Sequence, residues 1–495
     1  MEGAGTKAKP MKGADDEYPR NPLFRRKSTA ALLADAAAEA VGLKRALGAL
    51  DLTLLGIGAI VGAGIFVLTG VAAAMYAGPA VMVSFTVSGT ACAMAALCYA
   101  EFAAMIPVAG SAYSYAYATL GELIAWIIGW DLVLEYAVGA AAVAVGWSGY
   151  LRVVLNGIGI PMPAALTHAP GALPAGIFDL PALLVVLAVT AVLYAGIVET
   201  ARLNSIIVGI KLFVIGMVIV VGAFFVRPAN WTPFMPMGWS GLMRGASVIF
   251  FAYIGFDAVS TAAEEVVYPA RDLPIGIIAS LAVCTLLYVA VAAVLTGMVP
   301  FKKIDVNAPL ASAFLQRGLN AVSGVVSLGA VAGLTSVLLV LLLGQSRVFF
   351  AIARDGLLPP AFSRVHPRFR TPYVPTVLTG VLVGVAAALL PIQEIAELTN
   401  IGTLFAFTLV CIGIWVLRYL DPAMRRPFRT PLVPAVPILG ALSCSYLMKS
   451  LPLVTWIRFF AWMGVGLIIY FAYGRYHSRM ATEAGARQAG VSAAP

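Results

Sequence analysis

The chain has 495 residues, of which 61% are hydrophobic and only 11% charged, and its mean hydropathy is +0.94. A soluble domain carries about 25% charged residues, so these values exclude a water-soluble globular protein and point to a polytopic membrane protein. The net charge of +9 requires no nucleic acid partner, because most of the Lys and Arg fall on one side of the apolar spans, as membrane topology and lipid contact demand.

Residues 1–27 are polar, mixed in charge and read as disordered. No short apolar core precedes a small-residue cleavage site, so no cleavable signal peptide is expected. Over 28–50, Leu32, Leu33, Val41, Leu43 and Leu47 supply one apolar face, which predicts an amphipathic helix on the cytoplasmic surface. Twelve apolar spans follow, over roughly 52–75, 79–105, 121–155, 179–198, 204–226, 240–264, 273–298, 322–353, 373–391, 394–419, 433–451 and 454–475. Such runs suit a hydrocarbon layer about 30 Å thick. An even number puts both termini on one side, which the basic segments 347–370 and 418–429 mark as cytoplasmic.

Between the spans, Pro107-Val108-Ala109-Gly110-Ser111-Ala112-Tyr113-Ser114-Tyr115 is aromatic, small and uncharged, and predicts an interfacial helix on the cytoplasmic side. Residues 156–178 read as an external loop, 302–317 as a short external hairpin or lid, and 422–432 as a cytoplasmic linker. Asn230-Trp231-Thr232 fits a glycosylation acceptor, a weak motif. Cys92, Cys98, Cys284, Cys411 and Cys444 all lie in spans and read as small hydrophobes. His168, His366 and His477 lie in loops or the tail, so no histidine or cysteine metal site is expected.

Span 1 carries Gly58-Ala59-Ile60-Val61-Gly62-Ala63-Gly64-Ile65-Phe66. Each helix-interior glycine costs about 1 kcal/mol against alanine, and loosened backbone survives in a bilayer only when buried in protein or lining a cavity. Two readings stand on this stretch alone: close helix packing by small residues, or a helix broken to bind a ligand. Span 6 favours the second. Its Phe250-Phe251-Ala252-Tyr253-Ile254-Gly255-Phe256-Asp257 holds another glycine and an intramembrane carboxylate. Spans 1–5 (51–226) and 6–10 (240–419) are blocks of similar length, and an offset of five inverts the second. Paired breaks in inverted halves point to a transporter site at the midplane. Spans 11 and 12 (433–475) and a cytoplasmic tail (476–495) complete the chain. The expected fold is therefore an all-α membrane bundle of about twelve helices, a five-plus-five inverted repeat with helices 1 and 6 broken.

Half-helix N-termini offer N–H groups to a carboxylate, and half-helix C-termini offer carbonyls to an ammonium. One site offering both suits an amino acid. Gly62, Ala63 and Gly64 are the expected carboxylate side; the backbone of Phe251, Ala252 and Ile254, with Ile60, is the expected amine side. Lys211 lies deep in span 5, where a charge is costly. It reads as a proton carrier or as a structural lysine paired with Asp257 or Glu135. Those two acids either face the substrate or cap backbone. Thr335 and Ser336 in span 8 either bond their own helix or meet Lys211 or an ion. Glu101 and Glu122 are expected at the interface, and Glu264, Glu265, Arg271 and Asp272 form a solvated cluster or a gate.

Several segments carry a family resemblance: 56–70 (from Gly56-Ile57-Gly58 to Leu68-Thr69-Gly70), Leu134-Glu135-Tyr136-Ala137-Val138-Gly139, 250–265, and Gly344-Gln345-Ser346-Arg347 through Arg354-Asp355-Gly356-Leu357-Leu358-Pro359. The chain resembles the cationic amino acid transporter family, of the amino acid–polyamine–organocation superfamily, over nearly all of 40–475, and is similar to its twelve-span bacterial members. The resemblance implies the five-plus-five fold, alternating access, and a span-5 lysine, matched by Lys211, standing where sodium sits in sodium-driven relatives. It implies no cofactor, with the proton as coupling ion, and a bacterial inner-membrane location. Its expected partners are an amino acid, protons, membrane lipids and a small single-span accessory subunit. Ala63 stands where members often carry threonine, which removes a hydroxyl from the expected carboxylate site.

The leading reading is a proton-coupled amino acid importer. The alternatives are an exchanger, such as amino acid for polyamine, and a transport-like sensor, for which the tails are short. No cluster of acids, histidines or nucleophiles supports an enzyme, and paired helix breaks suit occlusion better than a channel pore.

Overall fold

In hydrocarbon each peptide group must be satisfied within its own segment, so apolar runs fold as helices. The computed structural model describes residues 23, 25–27, 46–106, 111–172, 176–196, 201–261, 263–369, 371–420, 422 and 424–482. The expected surface helix lies outside the described residues over 28–45, as do 1–22, 107–110 and 483–495.

Span 1 is the helix Ala49–Ile60, a bend, and a second stretch from Gly64 to Ala77 that begins and ends in π-helical turns. Span 2 is Val81–Met105, and a short helix, Ser111–Thr119, precedes span 3, Glu122–Gly157. Spans 4 and 5 are Leu180–Tyr194 and Ala201–Ala223. Span 6 is Gly238–Ile249, the tight turn Phe250–Tyr253, a break, and Ala258–Thr261. Spans 7 to 12 are Pro269–Met298, Asn320–Arg354, Tyr373–Leu389, Ile392–Leu420, Ala435–Lys449 and Leu453–Ile469. Among the described residues seven helices are long and apolar enough to cross a membrane, and four more are shorter apolar helices. The architecture is an all-α polytopic bundle whose first and sixth spans are interrupted.

Span 3 packs along span 8, span 2 along span 7, and span 10 along spans 3 and 11. The halves of the interrupted spans are held inside this frame. The end of the bundle that holds the described N- and C-terminal segments is tied by buried polar groups. Lys27 pairs with Asp355 at 2.8 Å, and Tyr113 donates to the same carboxylate at 2.8 Å. Tyr117, Tyr470 and Ser478 all donate to Glu122. At the opposite end Glu397 accepts from Tyr76, Arg244 and Thr455, which draws spans 1, 6, 10 and 12 together.

Several connecting segments differ from expectation. The helix Ser111–Thr119 does not lie flat on an interface: Tyr113, Tyr115 and Tyr117 are buried, because Asp355 and Glu122 satisfy two of the three hydroxyls inside the protein. Glu101 and Glu122 are buried as well. Glu101 meets Arg418 at 2.8 Å, Arg426 at 3.3 Å and the Thr430 N–H at 2.7 Å, which offsets its loss of water. Residues 302–317 contain the helix Pro309–Leu315, whose Leu310 and Phe314 are buried, so this segment is part of the packed body rather than a free hairpin. Arg271 pairs with Asp272 at 2.8 Å, and the backbone carbonyl of Glu265 accepts from the N–H groups of Ala46 and Leu47. Asn230 is engaged through its side chain, donating to the Gly297 carbonyl at 2.6 Å.

Candidate functional site

The first break follows Ile60. Val61 turns to extended backbone (φ −73°, ψ 94°), and helix resumes at Gly64. The second follows Tyr253: Ile254 is extended (ψ 137°) and Gly255 has φ +114°, a region that favours glycine. Asp257 caps this turn, accepting from the Gly255 N–H at 3.2 Å and the Tyr136 hydroxyl at 3.3 Å.

The two breaks lie against each other. A methyl group on Gly64 would stand 2.4 Å from Cα of Ala252, and one on Gly255 would stand 2.8 Å from the carbonyl carbon of Ala59. Glycine at Gly64 is thus what lets the two backbones touch. Tyr288 of span 7 joins them: its hydroxyl lies 2.8 Å from the carbonyl oxygens of both Ile60 and Ala252. A phenol has one proton to donate, so the two carbonyls share it. Tyr150 of span 3 donates to the Phe66 carbonyl at 2.5 Å, within the π-helical turn.

Between the breaks lies a cavity of about 30 Å³, room for no more than a couple of water molecules. Ile60, Gly62, Ala63, Gly64, Phe251 and Ile254 line it, together with Ala59, Tyr136, Gly255, Asp257, Val337, Val340 and Leu341. Ala252, expected among the lining residues, is not one of them. Its carbonyl is turned to Tyr288. The wall thus brings together the start of one half-helix at Gly64, the last residues of another at Ala59 and Ile60, and an aliphatic surface from span 8.

Lys211 is fully buried and donates to the Gly58 carbonyl at 2.7 Å, in the last turn before the first break. Span 8 makes room for it at Gly333, where a methyl group would stand 3.2 Å from its side-chain carbons. Thr335 bonds its own helix at Val331 and accepts from Trp147. Ser336 is buried beside it. Glu135 is buried one helical position from Tyr136, with no hydrogen-bond partner for its Oε2 among the described residues.

Sequence reasoning missed Tyr288, which reads as core in an apolar run. It also missed Val337, Val340 and Leu341, which no motif distinguishes from the rest of span 8. Tyr136 stood in a recognised segment, though nothing in its spacing tied it to Asp257 across the bundle.

Two interrupted helices meeting at a buried, glycine-lined cavity are a transporter's arrangement, and comparison with known proteins decides which kind. Residues 47–480 match the amino acid permease family model. The chain belongs to the amino acid permease family. The branched-chain amino acid permease BcaP of Bacillus subtilis is 51% identical over 464 residues, 93% of this chain and 99% of that one. The methylthioribose transporter of the same bacterium is 50% identical over 92% of this chain and 98% of its own. Among more distant relatives, the vacuolar cationic amino acid transporter 4 of Arabidopsis thaliana is 39% identical over 77% of this chain and 64% of its own. This permease is therefore a membrane-embedded transporter and not an enzyme.

Proposed function

We propose that this permease imports amino acids with aliphatic side chains by proton-coupled symport across the plasma membrane. The observation that carries the coupling is the Lys211–Gly58 hydrogen bond, 2.7 Å long and wholly buried. It ties a protonatable group to the broken helix that would hold the substrate. Loss of the proton removes the charge and weakens the bond to Gly58, so protonation and the position of the inner half of span 1 change together. The substrate carboxylate lies on the N–H groups of Gly62, Ala63 and Gly64. Its ammonium lies toward the Ile60 carbonyl, beside Tyr288. Residues 51–226 and 240–419 act as inverted halves, with both termini on the cytoplasmic side.

The side-chain preference rests on the cavity wall. Phe251, Ile254, Val337, Val340 and Leu341 form an aliphatic and aromatic surface, and Asp257 is engaged by Gly255 and Tyr136. Such a wall favours leucine, isoleucine or valine over a cationic side chain, which would lose water against a mostly apolar surface whose one carboxylate, Asp257, already holds the break in span 6. The name of the relative BcaP points the same way. At about 30 Å³ the cavity is too small for these side chains, so the arrangement described is a closed one that opens around its cargo.

Uptake by the purified protein in proteoliposomes, with labelled amino acids and with proton, sodium and voltage gradients imposed separately, tests this reading. Accumulation of leucine, isoleucine or valine down an inward proton gradient, indifferent to sodium, is expected. Sodium-dependent uptake that ignores pH would overturn the coupling, arginine or lysine as preferred cargo would overturn the side-chain assignment, and exchange without net accumulation would make the protein an exchanger.

A further inference from the structure

A second cavity, of about 390 Å³, lies away from the substrate site between spans 3, 8, 9 and 12. Its wall is almost wholly hydrocarbon and indole, with Trp130, Phe349 and Trp462 prominent. At its rim Leu378 and Leu382 are 37% and 57% exposed, on helix surface that a bilayer would cover. Water gains too few hydrogen bonds to fill a space with such a wall, and an empty one forfeits contacts on every side. A hydrocarbon chain entering sideways from the bilayer fills it.

Two polar groups in the wall specify more than a chain. Gln345 Oε1 and Thr379 Oγ1 are buried and have no hydrogen-bond partner among the described residues, in residues only 1% and 2% exposed. A helical threonine ordinarily bonds the carbonyl four residues back, as Thr335 and Thr376 do here at 2.8 Å; Thr379 does not. Gln345 lies about 13 Å inside the end of its helix at Arg354, and Thr379 about 9 Å inside the start of its helix at Tyr373. At that depth a charged head group is costly. An ester carbonyl can only accept, which leaves Gln345 Oε1 unsatisfied.

We propose that this cavity binds a single-chain amphiphile with a neutral hydroxyl-bearing head, a long-chain alcohol or an un-ionised long-chain carboxylic acid. The hydroxyl donates to Gln345 Oε1 and accepts from Thr379 Oγ1, and the chain lies along Trp130, Phe349 and Leu382. Span 3 carries Tyr136 and span 8 carries Val337 and Leu341 into the substrate cavity. The amphiphile therefore braces two helices that form the transport site.

The test uses the full chain in phosphatidylcholine nanodiscs with a diazirine-bearing hexadecanol, the labelled peptides being mapped by mass spectrometry. Label is expected in the helices Asn320–Arg354 and Tyr373–Leu389. Unlabelled hexadecanol should compete about tenfold better than hexadecyl methyl ether, the difference that one donated hydrogen bond supplies. Gln345→Leu should erase that preference. Thr379→Val should weaken hexadecanol and ether alike and leave hexadecane unchanged. Leu382→Trp, at the bilayer-facing rim, should block labelling without touching either polar group, and serves if the Gln345 variant fails to fold. Equal competition by alcohol, ether and hexadecane, or equal labelling by a diazirine-bearing phospholipid, would show an unselective acyl-chain groove and overturn the proposal.

Discussion

Gly64→Ala, paired with Gly62→Ala, examines the meeting of the two broken helices. An alanine methyl at Gly64 would lie 2.4 Å from Cα and Cβ of Ala252, where carbon atoms ordinarily rest 3.5–4.0 Å apart. The obstacle is backbone and cannot rotate away, so the helices must part by more than 1 Å. Overpacking of this kind costs about 1–3 kcal/mol. The same movement stretches the 2.8 Å contacts of Tyr288 with Ile60 and Ala252, which adds about 1 kcal/mol. The nearest atoms to a methyl at Gly62 all belong to the Val337 side chain, the closest at 3.0 Å, and a small shift of that valine relieves it for about 1 kcal/mol or less. Intrinsic helix propensity favours alanine at Gly64, where helix resumes, so the loss expected there arises from packing. Leucine binding and counterflow in proteoliposomes should fall about a hundredfold for Gly64→Ala and less than tenfold for Gly62→Ala. A Gly64→Ala protein that transports at the wild-type rate, or a Gly62→Ala protein that is the worse of the two, would refute the argument.

Tyr288→Phe keeps the ring and removes the hydroxyl shared by the Ile60 and Ala252 carbonyls; uptake should drop about tenfold at unchanged expression, and an unaltered rate would show the bridge to be idle. Glu101→Gln leaves Arg418 and Arg426 without their buried carboxylate, and thermal unfolding should report a loss of about 3–5 kcal/mol; an unshifted melting temperature would contradict it. Asp179 caps span 4 through the Ala182 N–H and also accepts from Ser148, yet burial raises its carboxyl to about 6. A raised carboxyl makes the folded state bind a proton that the unfolded chain releases, so its stability contribution is lost as pH rises through 6 and regained below it. His168, held below its usual range by burial and by Arg152, works in the opposite sense, losing stability as the pH falls through its lowered range. Exchange protection factors across 158–179, which divide out the intrinsic pH dependence of amide exchange, should therefore gain more between pH 6 and about 4 in the native protein than in Asp179→Asn, where only the His168 effect remains; a variant with the native pH profile would contradict the assignment.

Much of the fold was legible because hydrocarbon leaves a chain few choices. Apolar length set the spans, and the glycines near Ile60 and at Gly255 betrayed the breaks only as a pair, five spans apart, since close packing of small residues would explain either stretch alone. Lys211 stood out because a charge is costly at that depth. Long-range pairing was what stayed hidden. Glu101 looked interfacial because Arg418, Arg426 and Thr430 lie more than three hundred residues away along the chain. The segment leading into the helix Ser111–Thr119 looked interfacial because it is aromatic, small and uncharged, and only the fold shows Asp355 and Glu122 waiting for its tyrosines. Tyr288 carries no local signal at all: a tyrosine among leucines and valines reads as core until the two carbonyls it joins are brought together.

The claim at the centre of this account is that Lys211 couples a proton to the movement of span 1. Lys211→Met keeps the volume and removes the protonatable nitrogen. In proteoliposomes, leucine counterflow without a gradient and leucine accumulation under an inward proton gradient should be measured on the same preparation. Counterflow is expected to persist while accumulation disappears. Accumulation that survives in Lys211→Met, at the wild-type dependence on the proton gradient, would contradict the account.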